Sequence, residues 1–254
     1  MEQVRKPFQG VGNVIRFNWH FYLISLGAIL VGLFFSQYLH SLLKFLAIGG
    51  CFLAILMTSL SLIVSYYVYD WAGIYQLNWV DANDFAQNGK IININAGFDE
   101  ISFLLEEKFK DAKLIVFDFY NPTKHTEISI ERARKAYPHF PETQQISTSE
   151  LPLYDNSADI IFLTFSAHEI RDENERIIFF NQLHRVLKPD GKIYVTEHLR
   201  DLANFLAYNI GFFHFHSKAS WYKVFKSSNF KINREIKLTP FVSTFILTKN
   251  GTTS

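Results

Sequence analysis

The 254-residue chain has one cysteine, Cys51, inside an apolar run. That excludes an internal disulfide and any cysteine-cluster metal site, and it fits a reducing compartment. An excess of charge is also missing: 25 Lys and Arg stand against 24 Asp and Glu, for a formal net charge of +1. With no basic field and no long single-sign run, nucleic acid is not an expected partner. Proline is absent between Pro7 and Pro122. Glycine is scarce where it would be most telling, since "IININAGFDE" (91–100) has the outline of a nucleotide-binding loop but carries Gly97 alone. What the chain does have is apolar mass: 48% hydrophobic residues, among them 26 Phe, enough for one large domain or a domain plus an appendage.

Two charge-free runs, "FYLISLGAILVGLFFSQY" (21–38) and "FLAIGGCFLAILMTSLSLIVSYY" (45–67), are joined by the short "LHSLLK". Each is about long enough to cross a bilayer core of roughly 30 Å as a helix. The reading is a membrane-anchor hairpin over residues 1–80, with helices at about 18–38 and 43–68. A cleaved signal peptide fits poorly, because a second, longer run follows the first at once. The alternative is a pair of helices buried in a soluble domain, but nothing else in the chain looks large enough to cover both all round. Trp19, His20 and Tyr22 at one end, and Tyr66, Tyr67, Tyr69, Trp71, Tyr75 and Trp79 at the other, read as interfacial belts. Arg5, Lys6 and Arg16 precede the first helix and only Lys44 lies in the turn, so both chain ends are expected on the cytoplasmic side of an inner or cytoplasmic membrane.

Residues 81–254 alternate strand and helix. Runs at 91–95, 112–119, 144–148 (weak), 158–165 and 191–197 are separated by "DEISFLLEEKFKD", "HTEISIERARKAY" and "DENERIIFFNQLHRVLK", each apolar at helical spacing. This predicts an α/β fold with a doubly wound, Rossmann-like parallel sheet, preceded by the transmembrane α-helical hairpin. After a helix near Ser217 to Ser228, "FKINREIKL" and "FVSTFILTK" follow one another almost directly, which predicts an antiparallel C-terminal edge hairpin. Ligands on such sheets sit beyond the carboxyl ends of the strands. There, Asp118 ends the second strand 21 residues past Gly97, where an acid can accept hydrogen bonds from a ribose diol.

The stretches "LPLYDNSADIIF" and "RVLKPDGKIYV", taken with the loop and Asp118, resemble the class I S-adenosylmethionine-dependent methyltransferases over about Trp79 to Lys249. The resemblance implies S-adenosylmethionine as cofactor, held by Asn95, Ala96, Gly97, Asp99, Asp118, Phe119, Ser147 and Thr148. The chain departs from the pattern in the first loop, where Asn93, Asn95, Gly97 and Asp99 stand at the positions of an acid and three alternating glycines. Asn95 tolerates a left-handed backbone, so the turn stays feasible. Asp99 would repel a pyrophosphate, which argues against a dinucleotide. It also reads as an ordinary helix N-cap, and Asp118 as a surface acid. Ser147 stands where the family often has an acid near the adenine.

Methyl transfer to oxygen, nitrogen or acidic carbon needs a proton removed, and histidine is the obvious base. "SAHEIRD" and "TEHLRD" place His168, Glu169, Glu197 and His198 just past strands four and five, giving His168, Glu197 and His198 as catalytic candidates against a purely structural role. The Arg171, Asp172 and Arg200, Asp201 pairs that follow read as loop anchors. Glu169, Tyr208, His214 and His216 are candidate substrate contacts, the last two on one side of an extended segment if it is extended. Those histidines with Glu197 allow a metal site, but no spacing specifies one, and no metal is assigned. The apolar "LANFLAYNIGFFHF" (202–215) is either a packed helix or a lid entering the membrane interface. The expectation is a membrane-anchored methyltransferase with a lipid or other lipophilic small-molecule acceptor and the bilayer as partner, its oligomeric state open. Its rivals are a non-catalytic scaffold or sensor and a metal-dependent hydrolase.

Overall fold

β-Branched and aromatic runs become strands where they can be buried on both faces, and the order in which they pair sets the site. A computed structural model describes residues 5–81, 88–124 and 127–251. Seven strands, β1 (Lys90–Asn95), β2 (Lys113–Asp118), β3 (Gln144–Gln145), β4 (Ala158–Thr164), β5 (Leu187–His198), β6 (Phe230–Thr239) and β7 (Val242–Lys249), lie in the order β3-β2-β1-β4-β5-β7-β6. The first five are parallel, and β7 runs antiparallel between β5 and β6. The C-terminal hairpin therefore has one inner and one outer strand. β7 is buried along nearly all its length, while β6 alternates and forms the edge. The strand order reverses between β1 and β4, and the loops after those strands meet there.

The helices of the sheet domain are α4 (Ser102–Lys108), α5 (Ile128–Ala136), α6 (Glu173–Val186), α7 (Leu202–Tyr208) and α8 (Lys218–Ser227). One face of the sheet packs against Phe179, Phe180 and Leu183 of α6 and Trp221 and Phe225 of α8. Residues 125 and 126, where the sequence begins its helix before α5, lie outside the described residues, as do 252–254 of the tail.

Upstream are α1 (Gln9–Phe17), α2 (Trp19–Ser36) and α3 (Ser41–Tyr66). The latter two are antiparallel, long and apolar enough to cross a membrane, and only 6% and 11% of their most apolar windows is buried. Gly32 lets them approach closely: a Cβ there would stand 2.8 Å from Cys51 Sγ. The short α1 does not announce itself in the sequence. Its first amides, Gly10 N and Val11 N, donate to the Asp70 carboxylate at 2.7 and 2.8 Å, so an acid 60 residues away caps it.

The end of α3 overturns part of the belt reading. It continues into a π-helical turn (Tyr67–Trp71) and a 3₁₀ turn (Ile74–Gln76). Val64, Val68, Ile74, Tyr75, Leu77 and Val80 cover the second face of the sheet against Ile91, Ile160, Phe162 and Tyr194. Tyr75 is buried and donates to Glu100 Oε2 at 2.6 Å. Trp79 donates to the Ile74 carbonyl at 2.8 Å, and Tyr69 packs on Phe165. An uncovered sheet face claims these aromatics before an interface can. Trp19 and Trp71 do remain outside, 49% and 69% exposed. The junction placed at residue 80 is thus bridged by packing from Val64 onward.

Candidate active site

The first loop turns on one glycine. Asn95 stays extended at the end of β1 and its Oδ1 accepts from Gly97 N at 2.9 Å, so the left-handed backbone it could tolerate is not used there. Gly97 does, at φ 96°. A Cβ there would meet Arg134 Nη1 at 2.9 Å and Ile130 Cγ2 at 3.1 Å, so only glycine lets α5 close over the loop. Asp99 Oδ1 accepts from Ile101 N at 3.1 Å, Ser102 N at 3.0 Å and Asn93 Nδ2 at 3.1 Å, which makes it a cap for α4. Burial raises its pKa above the ordinary carboxylate value, against those hydrogen bonds.

Capping uses only one of its oxygens. Asp99 Oδ2, Asn95 Nδ2 and Thr164 Oγ1 are buried without a hydrogen-bond partner. All three residues line one cavity with Asn93, Ala96, Phe98, Glu100, Phe165 and Glu169. An acceptor, a donor and a hydroxyl left unpaired in one cavity are what an amino-acid end, with its ammonium and carboxylate, could satisfy. Phe165, at the end of β4, holds a left-handed φ of 50°, a strained conformation for an aromatic residue on this wall.

Asp118 is fully buried, which removes the surface-acid reading. Its Oδ1 accepts from Tyr120 N at 2.8 Å, and its Oδ2 is ion-paired with Arg134. The guanidinium stacks on the Tyr120 ring at 4.5 Å and lines a second hollow with Glu127, Lys135 and His139. Phe119 is in the core against Phe179. Ser147 Oγ pairs with Ser149 Oγ at 2.8 Å, and Thr148 donates to Glu175 Oε1 at 2.5 Å. These last three are not on the cavity wall around Gly97.

Past β4, the 3₁₀ turn Ala167–Glu169 sets His168 beside Glu197 of β5. His168 N and Nδ1 lie 3.1 and 2.6 Å from the two Glu197 oxygens, while Nε2 faces Glu169 Oε1 at 3.1 Å. His214 ends a 3₁₀ turn (Asn209–His214) and brings its Nε2 to the same Glu169 oxygen at 3.0 Å, with Nδ1 2.6 Å from Glu127 Oε1. Burial opposes the His168 imidazolium, but the Glu197 and Glu169 carboxylates outweigh it and push its pKa up to about 10. Despite burial, His168 and His214 hold the Glu169 carboxyl well below the usual range.

His198, the other expected base, is enclosed. Its Nδ1 must donate, since it meets the Phe241 carbonyl at 3.0 Å, so Nε2 accepts from the Tyr69 hydroxyl at 2.8 Å. Phe165 and Phe215 stack on its faces and Tyr208 on its edge. Burial drives its pKa down to about 3. His216 turns from His214 because the segment is helical up to 214 and not extended; its Nε2 meets Arg176 Nη1 at 2.8 Å, and burial with that cation lowers its pKa to about 3. Asp172 and Asp201 are N-caps of α6 and α7, and Arg200 holds the Phe213 and Phe215 carbonyls, as loop anchors do. Arg171 instead joins the cluster through Glu127 and the His214 carbonyl.

Sequence reasoning missed Glu127, Arg134 and Thr164. The first two sit in a polar helical stretch that reads as a solvated face, and no local signal marks them; Thr164 could be found only as the last residue of a switch-point strand.

Residues 97–195 match the family model described as a methyltransferase domain. No curated protein matches the chain in sequence. Among solved structures, the chain resembles a protein from Pyrococcus horikoshii at 17% identity, covering 73% of this chain and 98% of that one with a TM-score of 0.53. It also resembles a SAM-dependent methyltransferase from Aquifex aeolicus (15% identity, 74% and 97% covered, TM-score 0.51). A third, the SAM-dependent methyltransferase from Methanosarcina mazei, has 17% identity, 66% and 95% covered and a TM-score of 0.50. At such identities the likeness shows the fold, a Rossmann-like sheet of seven strands. The unpaired groups around Gly97 fit the amino-acid end of S-adenosylmethionine. The chain carries an S-adenosylmethionine-dependent methyltransferase domain.

Proposed function

We propose that the chain is a membrane-anchored methyltransferase, its catalytic domain on the cytoplasmic side, acting on a lipid or other lipophilic acceptor. In this reading residues 1–80 carry the anchor and 81–254 the catalytic domain. The carrying observation is the segment 202–214. Leu202, Phe205 and Leu206 of α7, which packs against α3, and Ile210 and Phe213 of the 3₁₀ turn after it are exposed by 72, 44, 49, 79 and 62%. A continuous apolar flank of that kind suits the bilayer surface. The same segment ends at His214, against the Glu169 that lines the cavity. An acceptor arriving along this flank reaches the site without crossing water. Arg132 supports the surface position: it donates to the Phe17 carbonyl at 2.6 Å and lies over the Trp19 ring at 5.2 Å, at the start of α2.

Bound S-adenosylmethionine supplies an electrophilic methyl group. Asp99, Asn95 and Thr164 would hold its amino-acid end, and Asp118 would accept from its ribose hydroxyls in place of Arg134. Proton handling at the acceptor falls to the Glu169 end of the histidine cluster, with Glu197 positioning His168. His198 acts as a packing residue. One observation favours the rival non-catalytic reading: the Arg134 ion pair occupies the acid on which ribose recognition depends.

The full chain in lipid nanodiscs, given methyl-labelled S-adenosylmethionine and a membrane lipid extract, is expected to move label into the organic phase. Arg134→Ala should tighten cofactor binding. Folded protein that binds no cofactor, with or without Arg134, would overturn the reading in favour of the scaffold. Transfer only to water-soluble acceptors would overturn the lipophilic part alone.

A further inference from the structure

We propose that His168, Glu169 and His214 form a site for one divalent first-row transition ion, Zn²⁺ or Mn²⁺ in class, on the wall of the cofactor cavity. One ligand atom from each of the three residues lies within 4.8 Å of the others, and the Nε2 of each histidine faces Glu169 Oε1. The two nitrogen–oxygen separations are 3.1 and 3.0 Å. Ligands at about 2.0–2.2 Å from a metal stand roughly 3.0–3.5 Å apart in octahedral or tetrahedral arrangement, so only the histidine pair has to close. His214 is partly exposed, and Arg171, which now holds its ring, would shift with it.

The outer contacts point the same way. Each imidazole has its Nδ1 2.6 Å from a further carboxylate, Glu197 behind His168 and Glu127 behind His214. Such a contact holds a proton on Nδ1, so an ion that displaces the Nε2 proton meets the Nε2 lone pair, the arrangement of a metal-bound histidine with its supporting carboxylate. Here two histidines from separate segments share it and face one oxygen. The surplus of carboxylates over fixed cations suits a cation as well. Three carboxylates gather around two imidazoles, with Glu197 fully buried and Glu169 nearly so. Arg171 supplies a fixed positive charge 3.3 Å from Glu127, its Nη2 lying against both nitrogens of the His214 ring, 2.9 Å from Nε2. A dication between the imidazoles would take over that position and neutralise Glu169. Two nitrogens and one carboxylate with no thiolate select a borderline ion over Ca²⁺ or Cu⁺.

Glu169 lines the same cavity as Asn95, Asp99 and Thr164, so the site borders it. Resting on the methyltransferase reading, this makes an oxygen acceptor, a hydroxyl whose ionisation the ion favours, the expected substrate class.

The test uses full-length protein in detergent, stripped with a chelator and titrated in parallel with Zn²⁺, with Mn²⁺ followed by electron paramagnetic resonance, and with S-adenosylmethionine. One ion per chain is expected, lost in Glu169→Gln and in the partly exposed His214→Ala, and weakened about 10–100-fold in Glu127→Gln. Folding of each variant is checked by its circular dichroism and thermal transition. The site is overturned if the stripped protein takes up neither ion, or if folded His214→Ala binds it as tightly as the parent. Ion binding without cofactor binding leaves the site standing and sinks the methyltransferase reading; cofactor binding without an ion does the reverse.

Discussion

The turn after β4 and the end of β5, which runs on through Glu197 and His198 where the sequence placed them just beyond it, each carry a histidine beside a glutamate, Ala-His-Glu against Glu-His-Leu, and are opposites in chemistry. His168 sits between two carboxylates, with a pKa pushed to about 10. His198, one strand away, sits between two aromatic rings, a tyrosine hydroxyl and a carbonyl, and falls to about 3. Both are almost completely buried, so burial alone does not separate them. The difference lies in what burial is filled with: carboxylates keep a proton on the ring, and neutral dipoles and π-faces do not. The twin that keeps carboxylates also borders the cavity through Glu169, and the twin that keeps aromatics ties the end of α3 to the sheet through Tyr69.

The sharpest way to break the contrast is to remove the carboxylate from the charged twin. Glu197→Ala leaves His168 buried without its closest partner. Equilibrium unfolding should show a loss of about 3–5 kcal/mol, the cost of stranding one member of a buried pair. An unchanged midpoint would mean that the pair carries little. A smaller effect is expected on the neutral side. His198→Phe keeps the stacking on Phe165 and Phe215 but takes its partner from the Tyr69 hydroxyl, for about 1–3 kcal/mol, while the Phe241 carbonyl still accepts from Asn204 Nδ2 at 3.0 Å. Methyl transfer should survive that change below the unfolding temperature, whereas a loss of turnover in folded protein would return His198 to the chemistry.

Gly97→Ala probes the loop that both twins overlook. A φ of 96° and the approach of Arg134 disfavour any side chain there. A stability cost of about 1 kcal/mol is expected, with a clear fall in S-adenosylmethionine affinity measured by calorimetry. A variant that binds the cofactor like the parent would place the ligand elsewhere.

How much of this was legible depended on whether the signal was local. The strands and the C-terminal hairpin announce themselves because a run such as "ADIIFLTF" has no other way to bury its side chains, and the two charge-free helices are written in composition. The aromatics after α3 were ambiguous in principle. Tyr and Trp suit a membrane interface and the cover of a sheet equally, and only the uncovered face decides between them. The pairing of Glu127 with His214, and of Arg134 with Asp118, joins residues that are distant in sequence or masked by a polar helix, and no local pattern encodes it. The acids after each histidine were readable only as a choice. Glu169 entered the cluster, while Asp172 and Asp201 became caps.

The smallest expected effect is a titration that isolates the neutral twin. His198 faces Tyr69, Tyr208, Asn204 and the Phe241 carbonyl, none of which is charged at neutral pH, and it lies in the field of His168. Its folded pKa, about 3, lies below the unfolded value near 6.5. Between those limits the unfolded chain binds a proton that the folded chain refuses, so stability is full above the unfolded pKa and falls as the pH drops. From pH 7.5 to 5.5 that amounts to about 1.4 kcal/mol for one such group. Other groups titrate over the same range, so the measurement is a difference: the pH dependence of unfolding in the parent minus that in His198→Phe. A difference that grows toward acid by about that amount keeps His198 as the neutral member of the pair. A flat difference would mean that the folded ring takes its proton at an ordinary pH, and the contrast between the two loops would then rest on position alone.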